Sequence, residues 1–425
     1  MDKLYQLHTY DNGLRLITVP MSDTQTVTVQ IMVGTGSRYE ARAVNGVSHF
    51  LEHMMFKGTT KSPGTMDISH ELDAIGAEYN AFTGKEYTGY YAKASTDHFE
   101  KILDVEADIF LNSKLEAAEV EKERGVIIQE INMYFDNPAH HVAELYEALI
   151  FGDQPLGWPI SGPKETIASL PAEKLREYFN THYCAENTVV AIAGKIDPEQ
   201  AKEKVWQYFS KMRQQATLAP LPWAGKQDKP GLKIFNKATD QTNLCLGVRG
   251  YGLNDDRRHI LTLMAVVLGG SMSSRLFTEV REKRGLAYHV SAGADCYLDV
   301  GDFTIFAGVE NAKLTEALKV ILAECQRLKN EPVNAIELQK AKDFLKGKMV
   351  INLESSDDQA GFYSHQELLK RQIVTPTEKI ERWNKVTAAE IQAEANNLWQ
   401  TNQLNLAIVG PFAEGDSAIY ETLEV

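Results

Sequence analysis

The sequence predicts an α+β fold built from two homologous domains, each a mainly antiparallel β-sheet packed with helices. Three observations lead there. First, Leu170–Gly194 can be laid over Val386–Gly410 without a gap, at an offset of 216 residues. Each segment reads as a helix followed by a short β-rich run that ends in glycine. The same offset puts Gly34 on Gly250 and Gly36 on Gly252, and two coincidences at one offset point to duplication. Second, strands and helices alternate without the short, regular βα rhythm of a parallel sheet. Third, residues 216–230 carry Pro220, Pro222 and Pro230 and read as a linker between domains 1–215 and 231–425.

Residues 13–33 alternate apolar and polar positions around two strands, with a Pro-Met-Ser-Asp turn between them. Gly46–Phe56 reads as a buried helix, and Thr65–Ile75 as another closed by Gly76. Between Glu78 and Ala94, β-formers at period two predict two strands joined near Gly84 and Lys85. Helices follow at His98–Leu111 and Ala117–Met133. In the second half the same signals predict helices at Leu261–Leu268, Ser274–Arg281, Leu314–Leu328 and Ile336–Asn352. Strands are expected at Tyr288–Leu298 and Asp302–Val309.

Composition narrows the function classes. The 425 residues carry 44 Lys and Arg against 58 Asp and Glu, a net charge of −14. The excess is concentrated in residues 1–215, with 20 basic against 31 acidic side chains, compared with 24 against 27 in the remainder. Such a chain is a poor ligand for a phosphate backbone, so no nucleic-acid partner is expected. An acidic cavity would favour basic substrates. No apolar run approaches the ~18 residues needed to span a bilayer, so no membrane is expected. The start, MDKLYQLHTYDNGLRLITV, lacks the basic-then-apolar pattern of a secretory signal, and a cytoplasmic location is expected. Cys184, Cys245, Cys296 and Cys325 are too scattered for a metal knuckle or a disulfide framework. No phosphate-binding or dinucleotide glycine motif is present.

The sharpest feature is His49-Phe50-Leu51-Glu52-His53. On a helix, residues four apart share a face, so both imidazoles can meet one ion. Two imidazoles and one oxygen ligand suit zinc with an open fourth position, and Glu52 would stand beside that position as a proton acceptor. The third ligand has to come from elsewhere. Glu123 and Glu130 are seven apart on a predicted helix and share a face with apolar Val126 and Ile127 between them. Read alone, Glu130 is either an inward carboxylate that needs a cation or donor, or one of the many surface acids of residues 97–130.

H-x-x-E-H is the inverzincin signature, and its surroundings resemble the pitrilysin, or M16-type, family of zinc peptidases. That family includes the mitochondrial processing peptidases, whose bacterial relatives this chain matches in size, and its fold is the LuxS/MPP-like metallopeptidase fold. The resemblance runs from about Gly13 to Gly410. It rests on the histidine motif and on Glu130, 77 residues beyond His53, with Glu123 seven residues earlier. It implies one zinc per chain held by His49, His53 and Glu130, with Glu52 as general base and Glu123 as a supporting residue. Gly76–Thr83 resembles the family's edge strand, which implies substrate contacts at Asn80, Ala81 and Phe82. Taken by itself, Asn80 is a turn or strand-end residue. Arg281 and Tyr288 have the family's Arg/Tyr spacing, which implies that they bind substrate backbone and the developing oxyanion. Without the resemblance they read as a surface arginine and a half-buried tyrosine.

The offset places His49 on Ala265, Glu52 on Leu268 and His53 on Gly269, so the second copy lacks the motif. The expected activity is that of a zinc metalloendopeptidase acting on peptides or unfolded segments. The family encloses substrates between two bowl-shaped halves, and this chain supplies one half. A homodimer is therefore expected, with Arg281 and Tyr288 of one chain facing the zinc of the other. The alternatives are one subunit of a heterodimeric peptidase, or a peptidase-like structural or peptide-binding protein.

Overall fold

The computed structural model describes residues 4–425. Its strands are β1 (Gln6–Thr9), β2 (Arg15–Pro20), β3 (Thr26–Val33), β4 (Glu78–Thr83), β5 (Thr88–Ser95), β6 (Thr188–Gly194), β7 (Gly231–Asn236), β8 (Gln241–Tyr251), β9 (Ala287–Cys296), β10 (Val300–Glu310) and β11 (Asn405–Gly410). The first helices are α1 (Val47–Met55), α2 (Asp67–Asp73), α3 (Phe99–Asn112), α4 (Ala117–Asp136), α5 (Pro138–Phe151), α6 (Lys164–Ser169), α7 (Ala172–His182) and α8 (Pro198–Phe209). They are followed by α9 (Arg258–Leu268), α10 (Leu314–Asn330), α11 (Ala335–Asn352), α12 (Ser356–Lys370), α13 (Pro376–Lys385) and α14 (Ala388–Leu398).

Two sheets form. The first has the order β1-β2-β6-β3-β5-β4 and the second β7-β11-β8-β10-β9. Apart from β1, the two orders correspond strand for strand. Each sheet is antiparallel except for one parallel pair, β2 with β6 and β7 with β11. The two homologous α+β domains expected from the sequence are therefore present. The offset of 216 holds closely at β2 and β7, at α7 and α14, and at β6 and β11. β2 and β3, adjacent in sequence, do not pair with each other, because β6 lies between them.

The chain divides into two compact units. Of the described residues, one comprises 4–131, 158–221 and 350–375, and the other 132–157, 222–349 and 376–425. This differs from the contiguous domains 1–215 and 231–425 expected from sequence, because two helices have moved. α12 packs on β3 and β6 of the first unit, and α5 packs on β11 and β8 of the second. Each sheet has two faces to cover, and these helices supply the second cover. In β3, Val27, Val29, Ile31 and Val33 point into one cluster with α1 and α3. Met32 points the other way, to Ala360, Tyr363 and Leu368 of α12. In β11, Leu406 and Ile408 face one core, while Ala407 and Val409 meet Val142, Tyr146 and Ile150 of α5. The expected linker has no regular secondary structure, and the division between units falls inside it, at Leu221 and Pro222.

The helix expected at Ser274–Arg281 is replaced over Phe277–Glu282 by a π-helix. Among the described residues, no helix is long and apolar enough to cross a membrane.

Candidate metal centre

The motif helix is set by its apolar stripe. Val47, Phe50, Leu51, Met54 and Met55 follow the i, i+3, i+4, i+7, i+8 pattern, and all are buried. His49, Glu52 and His53 fall on the remaining face. The entry to α1 needs glycine. Gly46 has φ of 98°, and a Cβ there would stand 2.5 Å from the Ser161 carbonyl oxygen. The exposed donors at this end are met by Glu40, which the sequence reading did not single out. Its buried carboxylate accepts from Gly46 N at 2.7 Å, Ser48 N at 2.8 Å and Asn45 Nδ2 at 2.8 Å. Burial raises the Glu40 pKa, against the pull of those hydrogen bonds.

α4 brings the acids. Its inward stripe contains Val120, Glu123 and Ile127, all buried, and continues to the half-buried Glu130. His49 Nε2 lies 3.6 Å from Glu130 Oε1, and His53 Nε2 lies 3.3 Å from Glu130 Oε2. His49, His53 and Glu130 each offer a donor atom within 4.8 Å of the others, and they form the one such group of three among the described residues. Two imidazole nitrogens and a carboxylate oxygen at this spacing fit zinc.

A second layer holds the first. Glu123 Oε1 lies 2.9 Å from His53 Nδ1, and its other oxygen lies 2.7 Å from Lys57 Nζ. With Nδ1 turned to the Glu123 carboxylate, Nε2 is directed to the cluster. His49 is held differently, since its Nδ1 is buried with no hydrogen-bond partner. Burial pulls the His53 pKa down, but its hydrogen bonds to Glu123 and Glu130 and the charge of Glu52 outweigh it and leave it at about 9. Glu123 is shifted below its ordinary value, because His53 and Lys57 overcome the cost of its burial.

Glu52 accepts a hydrogen bond from Thr83 Oγ1 at 2.5 Å. Thr83 ends β4, one of the two edge strands of the first sheet. Along β4 the side chains alternate. Tyr79, with its ring 6.5 Å from that of Phe56, and Ala81 belong to the α1 side. Asn80 is exposed, and its Oδ1 accepts from Ala81 N at 2.8 Å. Phe82 stacks on His365 of α12. Of the expected substrate residues, Asn80, Ala81 and Phe82 thus lie on the free edge, but the β4 side chain that reaches the motif is that of Thr83. Neither Thr83 nor Lys57 was found from the sequence. Lys57 lies past the end of α1, so no helical spacing marks it.

In the second unit, the Arg281 guanidinium sits 4.7 Å from the Phe277 ring centre and 5.0 Å from that of Tyr288. Tyr288 is 75% exposed at the start of β9. The structure thus brings this Arg/Tyr pair together. The second copy cannot hold a histidine at the position of His53. α9 ends at Leu268, and a Cβ on Gly269 would stand 2.3 Å from Ala292 N.

The paired sheets and the His/His/Glu cluster beside a glutamate define a zinc metallopeptidase. Residues 15–164 match the family model for insulinase (peptidase family M16), and residues 169–345 match the peptidase M16 inactive domain. The uncharacterized zinc protease YmxG of Bacillus subtilis is 36% identical over 95% of this chain and 98% of its own length. The uncharacterized zinc protease SCO5738 of Streptomyces coelicolor is 33% identical over 96% of this chain and 89% of its own. A protease from Helicobacter pylori has a similar fold, with a TM-score of 0.89 at 23% identity, covering 96% of this chain and 99% of that one. The chain belongs to the M16 peptidase family.

Proposed function

We propose that His49, His53 and Glu130 hold one zinc ion per chain and that the site hydrolyses peptide bonds in extended peptides or unfolded segments. The observation that carries this reading is the convergence of three donors from α1 and α4, with the Glu123 carboxylate 2.9 Å from His53 Nδ1. When bound, zinc acidifies a water and withdraws electron density from the scissile carbonyl. Glu52 takes the proton of the attacking water and returns it to the leaving amine. The free edge of β4 at Asn80, Ala81 and Phe82 pairs with the substrate as an added strand, which satisfies the peptide's own backbone groups. Arg281 and Tyr288 supply donors for the substrate backbone and the developing oxyanion.

In this reading the working particle is a homodimer in which Arg281 and Tyr288 of one copy serve the zinc of the other. The family's chamber is built from four such domains, and one chain has two. The test is a peptide-library digest with purified wild type beside Glu52→Gln, with zinc content and particle mass measured on the same samples. Cleavage by the wild type and none by the zinc-loaded variant supports the reading. Equal cleavage by both, or a wild type that holds zinc and cleaves nothing, overturns it.

A further inference from the structure

The general base is tied to the strand that the peptide would join. Glu52 sits on α1 and Thr83 ends β4, and the Thr83 hydroxyl donates to Glu52 Oε2. No described residue donates to Glu52 Oε1, so one carboxylate oxygen is anchored and the other is available. Glutamate has three side-chain torsions, and a helical glutamate without a partner samples several rotamers. One hydrogen bond from a strand residue removes most of that freedom. Thr83 is itself well fixed. It lies opposite Thr88 in the β4–β5 ladder, and Thr88 is buried with its hydroxyl on the Thr35 carbonyl oxygen. A β-branched side chain in a strand also has restricted χ1, so the hydroxyl direction follows the backbone.

The free side of β4 is unpaired in the sheet. We propose that Thr83 is a positioning residue for Glu52, holding one oxygen of the general base from the strand that an extended peptide would join. This inference rests on the proposed hydrolytic function. It assigns Thr83 no contact with the reacting atoms.

The test compares wild type, Thr83→Ser and Thr83→Val on a quenched fluorescent decapeptide. Valine keeps the shape and β-preference of threonine without the donor, and serine keeps the donor. Thr83→Val is expected to lose kcat on the order of 10²-fold, since misplacing a catalytic group by about 1 Å has that effect. KM, zinc stoichiometry and thermal midpoint should stay at wild-type values. Thr83→Ser should recover kcat to within about threefold of wild type, the hydroxyl being its only shared feature. Decapeptide affinity, read by fluorescence anisotropy, should be equal in Glu52→Gln and in Glu52→Gln with Thr83→Val.

An unchanged kcat in Thr83→Val overturns the proposal. So does a Thr83→Ser variant as slow as Thr83→Val, or a loss confined to KM, to zinc content or to folding. Glu52→Gln turning over at the wild-type rate would instead overturn the hydrolytic reading itself.

Discussion

His53 Nδ1 and Glu123 Oε1 lie 2.9 Å apart, and the other oxygen of Glu123 holds Lys57 at 2.7 Å. One carboxylate thus orients an imidazole of the candidate metal cluster and is itself pinned by an ammonium group. Glu123→Ala should weaken zinc binding by about 10- to 100-fold, the usual effect of removing such support. Lys57→Met should weaken it less, because Glu123 keeps its histidine partner. Competition against a chromogenic zinc chelator measures both, and wild-type affinity in Glu123→Ala would contradict the arrangement.

The two ends of the motif should separate metal binding from chemistry. His49→Ala and Glu130→Gln each remove one of three donors and should drop zinc content well below one per chain. Glu52→Gln should keep zinc at wild-type stoichiometry while turnover falls about 10²- to 10⁴-fold, the range for loss of a general base. Elemental analysis and steady-state rates on the same preparations separate the two classes.

Glu40 feeds three donors around the first turn of α1. Glu40→Ala would leave Gly46 N and Ser48 N without their acceptor, while Asn45 Nδ2 would keep only the Pro159 carbonyl oxygen. At about 1–3 kcal/mol for each buried unsatisfied group, several kcal/mol of stability should be lost. Glu40→Gln retains an acceptor oxygen and should lose less. Urea midpoints give the order, and an alanine variant as stable as wild type would show that the cap is dispensable.

Glu106 occupies a core position on α3, fully buried, with neither carboxylate oxygen hydrogen-bonded. Burial pushes its pKa well above the ordinary value. The folded state therefore keeps a proton that the unfolded chain gives up once pH passes about 4.3. This stabilisation is full below that point and is lost as pH rises toward the folded value, at about 1.4 kcal/mol per pH unit. Glu106→Leu removes the group, so its stability advantage over wild type should grow between pH 5 and pH 7. Denaturant midpoints at the two pH values check the sign, and a constant difference would contradict it.

A homodimer should show a particle of about twice the 47.5 kDa chain mass by light scattering. Mixing an inactive Glu52→Gln chain with an inactive Tyr288→Phe chain should restore part of the activity, because one mixed site then has an intact Glu52 and an intact Tyr288. No recovery on mixing would mean that both residues serve the site of their own chain.

Much of this protein is written locally. The stripe Val47, Phe50, Leu51, Met54 and Met55 makes α1 a helix, and the four-residue spacing then places His49 and His53 together whatever the rest of the chain does. The repeat at 216 residues is a property of the sequence, and the structure returns it as two sheets of matching order. Glu130 was ambiguous from its neighbours, because a glutamate on a helix reads the same whether it meets a metal or water. Its place was decided when α4 laid that face against α1. Glu40 acts only five to eight residues on, in a loop where no period marks it. Lys57 and Thr83 act on Glu123 and Glu52, which only folding brings near, so spacing marks neither. The exchange of α5 and α12 was hidden for the same reason. An amphipathic helix declares that it needs an apolar surface, but only the tertiary structure decides which sheet supplies it.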